Sequence, residues 1–456
     1  DMPDLSTDQG MLYAKVAALL ENKSVDRLIG VGRQIRQYAV QFPMETLFFE
    51  TTDELLEKTA SLKFFNETIL LKGARSFEFE RISKVISQKV HETVLEINLS
   101  ALEHNLNFYK SHLKPGVKLM AMVKAFSYGS GSFEIANLLE FNKVDYLAVA
   151  YADEGVSLRK SGCHLPIMVM NPDSGSFDTI IAHHLEPEIY SIRILNEFAE
   201  VVEQKKLSNY PVHIKLDTGM HRLGFTEQEV GELLELLKEH RVLRVQSIFS
   251  HLVASEDLHQ DEFTQYQIDL FKRLSTQIQE TVGYPCLRHI LNTSGISRWP
   301  QGQFDMVRLG IGLYGIDPVE AQKSALQTVT SLKTSISQIK EILAGETVGY
   351  NRKGKMPQGG KIATVKIGYA DGYSRALGNG MGEMLVNGKK VPTIGNICMD
   401  MCMLDVSGLD EVAEGDEVIV MNEQIRVEEL AHKLHTIPYE ILTGISQRVK
   451  RVYYYE

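Results

Sequence analysis

The chain has 456 residues, with 48 Lys and Arg against 59 Asp and Glu and a net charge of −11 at pH 7, so a length of about three domains at ~150 residues each lacks the basic footprint of a nucleic-acid binder. With 44% apolar and 23% charged residues it is composed like a globular protein. No apolar run reaches the ~18 residues of a membrane span, and the start DMPDLSTDQG is unlike a signal peptide. The four cysteines are too few for a disulfide framework, so we expect a cytoplasmic protein with neither nucleic acid nor membrane as partner.

Residues 1–88 read as a small α/β, Rossmann-like domain: a helix over 9–20, a strand over 27–32, a helix over 52–62 and a strand over 68–72. Gly30 and Gly32 form a lone GxG without the later glycine and acid of a dinucleotide fingerprint, so they read as a strand-to-helix turn. From 94 onward, short apolar runs alternate with helical stretches. Eight of them, at 118–124, 144–150, 165–170, 185–191, 212–217, 245–251, 287–291 and 306–313, predict an α/β domain of the (β/α)8 TIM-like barrel type over 94–325, with its chemistry at the strands' C-terminal ends. Lys124, Lys215, His251 and Asn292 fall at or just past such ends. Residues 326–456 are strand-rich and predict a C-terminal all-β domain, with a hairpin turn at Asn387-Gly388, a short helix over 427–435 and a closing strand over 447–455.

A lysine at the end of an apolar strand must be paired, neutral or in covalent use. On its own Lys124 reads most simply as a snorkelling cation, but Tyr128 and Gly129 follow it at the presumed barrel mouth. Other clusters read as structural. Cys398 and Cys402 lack a second pair at zinc spacing, and the acids around 256–262 suit a helix start. GKMPQGGK at 354–361 misses a phosphate loop by one residue and a final Ser or Thr. No metal is expected.

The segment VKAFSYG at 123–129 resembles the pyridoxal-phosphate attachment motif of alanine racemases. The resemblance runs from VLEINLSALEHNL at 94–106 to the C-terminus, through HIKLDTGMHRLGF (213–225), FSHLVASED (249–257), NTSGISRWP (292–300), VRLGIGLYG (307–315), VGY (348–350), IGYADGYSR (367–375) and ICMDMCMLDV (397–406). It implies that Lys124 bonds covalently to pyridoxal 5'-phosphate and acts as the base on one face of the substrate Cα, with Tyr350 on the other. Racemisation by a two-base route removes the Cα proton from one face and returns one to the other, so it needs two such groups on opposite sides of a planar carbanion. The resemblance further implies that Tyr128, Thr293 or Ser294, Gly310 and Ile311 hold the phosphate. By the same resemblance His251 and Asn292 lie by the cofactor and Arg308 faces the pyridine nitrogen. Arg222 would contact the substrate carboxylate, and Lys215 matches a lysine that is carbamylated in several relatives. Met399, Asp400 and Tyr350 would reach the site of a second subunit in a head-to-tail homodimer, with alanine as the small-molecule substrate. Gln447 replaces a tyrosine that some relatives place beside the entrance.

Two other readings share parts of this pattern. A decarboxylase on the same barrel keeps its cofactor nitrogen protonated with an acid, where this chain has Arg308; a single-barrel cofactor carrier would lack the β domain. In residues 1–88, DMPDLS, RLIGVGRQI and ILLKGARSFEFERI resemble the C-terminal domain of the ligase that adds D-alanyl-D-alanine to the UDP-N-acetylmuramoyl tripeptide. This implies a ligase and racemase fusion serving peptidoglycan synthesis, here without the ligase's ATP site.

Overall fold

The computed structural model describes residues 9–62, 64, 67–86, 93–319 and 325–455, in two compact units, 1–90 and 91–456. In the first unit, helix Gln9–Asn22 buries Tyr13 and Ala17, four residues apart on one face, and Tyr13 stacks on Tyr38 at 4.9 Å. Strand β1 (Arg27–Val31) pairs in parallel with β2 (Glu45–Phe49). A Cβ on Gly30 would stand 2.6 Å from the Phe48 ring, so this glycine serves close packing at the turn into helix Arg33–Gln37. Helix Thr52–Lys58 is capped by the Thr51 side chain, which accepts from the Glu54 amide. The expected strand over 68–72 does not form: Ile69 and Leu70 are 41% and 82% exposed. It is β2 that pairs with β1, and its last residue, Phe49, joins a small core with Val31, Leu55 and Ile82.

The second unit opens with β3 (Val94–Asn98). The eight strands read as a barrel then follow as β4 (Lys118–Met122), β5 (Tyr146–Val149), β6 (Ile167–Val169), β7 (Glu186–Ile189), β8 (Tyr210–Lys215), β9 (Leu243–Phe249), β10 (Leu287–His289) and β11 (Met306–Leu309). They form one parallel sheet in the order β11-β4-β5-β6-β7-β8-β9-β10. The amides of Asp305 and Arg308 donate to the carbonyls of Arg288 and Leu291, both at 3.0 Å, and join its two ends. Strands such as β5 are buried at every position, as expected of a parallel sheet covered on both sides. The crossover helices bury one stripe each. In Ile192–Gln204 the stripe is Ile194, Leu195, Phe198, Ala199 and Val202, and Ser191 caps the helix by accepting from the Ile194 amide.

Past the barrel come β12 (Thr330–Ile342), the short pair β13 (Thr347–Val348) and β14 (Gly354–Lys355), then β15 (Gly360–Val365), β16 (Glu383–Val386), β17 (Lys389–Ile394), β18 (Cys402–Asp405), β19 (Glu417–Met421) and β20 (Lys450–Tyr454). β13 and β14 pair with each other as a separate two-stranded sheet; the others build, with β3, a second sheet in the order β15-β18-β17-β16-β19-β12-β3-β20, and the long β12 also pairs with β15. The barrel reading began at Val94, yet β3 belongs to this second sheet, between β12 and β20. Its alternation of half-buried and buried residues is that of a strand with one wet face. Asn387 and Gly388 take φ of 49° and 74° and place Val386 opposite Lys389, as the hairpin reading required. The helix over 427–435 is Val427–Lys433, and a second helix, Pro438–Thr443, follows it.

Candidate active site

Lys124 lies two residues past β4, where the chain makes a left-handed turn. Ala125, Phe126, Ser127 and Tyr128 all have φ between 50° and 55°, a region that costs a non-glycine residue about 1–2 kcal/mol. The turn is imposed from outside. The Glu154 carboxylate accepts from the Ala125 amide, Arg451 donates to the Gly129 carbonyl at 3.0 Å, and Tyr453 donates to the Ser130 carbonyl at 3.0 Å. A Cβ on Gly129 would meet the Leu442 carbonyl oxygen at 2.2 Å. Helix Pro438–Thr443 and strand β20 thus close on this loop and hold Lys124 at the mouth. Burial, then the cations Arg222, Lys215 and Arg308, hold its amine below the usual lysine range, while Glu154 pulls the other way.

Beside the lysine is a cradle of hydroxyls and main chain. Gly310 follows β11, and a Cβ there would stand 3.1 Å from the Tyr128 hydroxyl and 3.6 Å from that of Thr293. Thr293 Oγ1 accepts from the amides of Gly310 (3.1 Å) and Gly312 (3.4 Å), so its own proton is free to point elsewhere. Ser294 and Ile311 are buried next in line. Asn292 caps this segment: its side-chain carbonyl accepts from the Gly295 amide at 2.9 Å and the Ser255 hydroxyl at 2.8 Å. Two rings that sequence reasoning missed cover Tyr128. Tyr314 lies 4.8 Å and Tyr439 5.8 Å away, centroid to centroid. Gln447, the departure noted at the entrance, is exposed.

Arg308, 3% exposed, fixes a directional chain of hydrogen bonds. A guanidinium only donates, so His289 Nδ1, 2.7 Å from Arg308 Nη1, must be the acceptor and the His289 proton must sit on Nε2. That N–H donates to Ser247 Oγ at 2.8 Å. The serine donates to His213 Nδ1 at 2.6 Å, and His213 Nε2 donates to Glu186 at 2.9 Å. Arg308 Nη2 donates to the carbonyls of Ser250 (2.6 Å) and Ile290 (3.1 Å) and lies 3.4 Å from His251 Nδ1. Burial pushes the guanidinium down to about 10, so it stays charged at neutral pH. Ser247→Ala leaves a donor and an acceptor unpaired inside the barrel, and we expect a loss of about 2 kcal/mol in urea unfolding.

Burial, then Arg308, holds the imidazoles of His251 and His289 well below their usual range. Below pH ~6.5 the unfolded chain protonates both, and the native chain does so only at lower pH. Glu188, whose carboxyl burial lifts to about 7, acts oppositely by one proton. With two imidazoles lowered and one carboxyl raised, the unfolded state binds more protons than the native one as pH falls below about 6.5, and these three groups together reduce stability in that direction. Urea unfolding of the cofactor-free protein at pH 7.5, 6 and 5 measures this slope.

Arg222 rides on a loop over 217–225 that folds back on β8. Asp217 accepts from the amides of Gly219, Met220 and His221 at 2.9–3.0 Å, and the Phe225 amide donates to the Lys215 carbonyl at 2.8 Å. Tyr350, Met399 and Asp400 are elsewhere, on the β domain. Tyr350 and Met399 are 67% and 54% exposed, and Asp400 pairs with Arg448 at 2.7 Å. Among the described residues none of the three hydrogen-bonds a barrel residue. They share one surface, since Asn396 donates to the Tyr350 carbonyl at 3.1 Å and the amides of Tyr369 and Ala370 donate to the carbonyls of Cys398 and Met399. Exposed Tyr369 and Met401 extend it. Aromatic and methionine side chains grouped in this way mark interfaces. No helix among the described residues is long and apolar enough to cross a membrane.

Residues 97–318 match the family model for the alanine racemase N-terminal domain and residues 329–453 the one for its C-terminal domain. Alanine racemase 1 of Clostridium acetobutylicum is 36% identical over 368 residues, which is 78% of this chain and 94% of that protein. Among solved structures, alanine racemase of Clostridium difficile 630 superposes with a TM-score of 0.76 at 34% identity, over 81% of this chain and 97% of that one. The alanine racemase of Bartonella henselae with covalently bound pyridoxal phosphate gives 0.74 at 29% identity, over 80% of this chain and 100% of that one.

Proposed function

Because this chain belongs to the alanine racemase family, whose cofactor is pyridoxal phosphate, we propose that it interconverts L- and D-alanine with two bases drawn from two copies of the chain. The observation that carries the reading is the setting of Lys124. A half-buried amine of lowered pKa stands among Arg222, Lys215 and Arg308, beside a cradle that a single Cβ on Gly310 would fill. So many cations at one mouth call for an anionic ligand. Hydroxyls of Tyr128, Thr293 and Ser294 and the main chain at Gly310 and Ile311 suit a phosphate, so the residues present fit the cofactor.

When bound, pyridoxal phosphate withdraws electron density from the Cα–H bond of the amino acid and spreads the resulting charge over its ring. The chain supplies the rest. Lys124, its amine poised to be neutral, takes or returns the Cα proton on one face. Arg308, which can donate but not accept, would face the ring nitrogen with a donor and so oppose its protonation. That limits delocalisation of the carbanion and the side reactions that depend on it, and it sets the chain apart from barrel decarboxylases. Arg222 meets the substrate carboxylate, and His251, kept neutral by burial, adds no further charge. Tyr350 from a second, head-to-tail copy supplies the opposite base, with Met399 and Asp400 beside it; their exposure in the single chain supports a shared site.

The product D-alanine suits peptidoglycan synthesis, and the ligase-like first 88 residues, which we read as a module without its ATP site, support that use. L-alanine incubated with the purified protein in D2O should lose its optical rotation and gain one deuterium at Cα without carbon dioxide. Release of carbon dioxide and an amine would overturn the reading in favour of decarboxylation.

A further inference from the structure

Glu188 is a buried charge that none of the steps above employs. It lies on β7 with its side chain fully buried, and its Oε1 is 2.9 Å from Nζ of Lys215 on the adjacent β8. Apart from that ion pair, neither carboxylate oxygen has a hydrogen-bond partner among the described residues. Lys215 is itself 4% exposed. Its Nζ stands 5.4 Å above the Phe249 ring, and the loop bearing Arg222 closes over it: a Cβ on Gly224 would be 3.1 Å from Lys215 Cγ. An ammonium so far from water needs an anion, because desolvating it alone costs several kcal/mol. Glu188 supplies one: burial lifts its carboxyl to about 7 against the pull of Lys215, Arg222 and Arg308, so it is ionised at the pH 8 of the test below.

We propose that Glu188 is a positioning residue whose carboxylate keeps Lys215 as an unmodified ammonium, and that this pair, rather than a carbamate on Lys215, sets the charge behind Arg222. Carbamylation requires the lone pair of a neutral amine. The nitrogen attacks the carbon of carbon dioxide, an N–C bond forms as one C=O electron pair moves onto oxygen, and the nitrogen gives a proton to water. An ammonium held by a carboxylate has no such lone pair. The product carbamate would also set a second anion against Glu188, a contact that repels at this range in a low dielectric. In the unmodified site Glu188 supplies one negative charge, offset by the Lys215 ammonium; a carbamate would leave two anions side by side.

The proposal rests on the reading of Arg222 as the substrate-carboxylate contact, and its test separates the two. Holoenzyme equilibrated with 13C-bicarbonate at pH 8 should show no protein-bound carbamate carbon by NMR, and its racemisation should not change when bicarbonate is removed. Glu188→Gln should free the Lys215 amine, gain a carbamate signal that is absent from Glu188→Gln/Lys215→Arg, and raise KM for alanine about tenfold in bicarbonate-free buffer with a smaller change in kcat. Bicarbonate should restore that KM, and Glu188→Asp should show neither effect in full. A carbamate signal in the wild type that vanishes in Lys215→Arg overturns the proposal, and so does a Glu188→Gln protein with unchanged KM and no label. The wild-type spectrum decides the modification even where a variant fails to fold. If the wild type binds no label and does not racemise alanine, the functional reading fails while the state assigned to Lys215 stands.

Discussion

Lys124→Ala should abolish the visible absorbance of covalently held cofactor and lower alanine racemisation by more than about 10^4-fold, because the proposed mechanism makes one side chain both the attachment point and a proton carrier. The substitution also relieves the mouth of a cation. Burial and the repulsion of Arg222 already weaken the charged form of this amine, so the folded protein should survive the change with its urea midpoint unchanged or slightly raised. An unstable, unfolded product would mean that Lys124 serves the structure more than the chemistry. Absorbance, unfolding and turnover measured on one preparation distinguish these outcomes.

Tyr350→Phe should leave cofactor absorbance intact and cost about 10^2–10^4-fold in racemisation, the usual worth of a positioned acid or base. Tyr350 is 67% exposed in the single chain and hydrogen-bonds no barrel residue among those described, so the role proposed for it calls for a second copy. Mixing the two inactive variants tests this. In a dimer of Lys124→Ala with Tyr350→Phe, one site has lost both groups and the other keeps both. Random reassortment should therefore restore about a quarter of wild-type activity. Were both groups supplied by one chain, no mixture would recover any.

The barrel was legible because its strands are short, apolar and bounded by polar turns, and each of the eight formed where the pattern placed it. The hairpin at Asn387-Gly388 was legible for a similar reason: both residues tolerate positive φ. The barrel domain was drawn from 94 although β3 pairs with β12 and β20, because five residues of alternating burial carry no mark of which neighbour they will find. The left-handed turn after Lys124 left no trace in KAFSY, which has neither Gly nor Asn; ties to Glu154, Arg451 and Tyr453, none of them near in sequence, determine it. Glu188 escaped notice because a glutamate in EPEI reads as a solvent-facing strand residue. A signal was present in the pairing of that strand with HIK, which sets two acids beside a histidine and a lysine on the same inward face. Tyr439 was hidden because its short helix was not anticipated.

The four residues that follow Lys124 occupy the backbone region natural to amino acids of the opposite hand. At Ala125, φ 51° and ψ 52° are mirror-image helix values, which a D-residue adopts without strain. A semisynthetic chain with D-alanine at position 125 would therefore fold more stably than the natural one, by about 1 kcal/mol. Elsewhere in the barrel, as in helix Ile192–Gln204, the same replacement would be a defect.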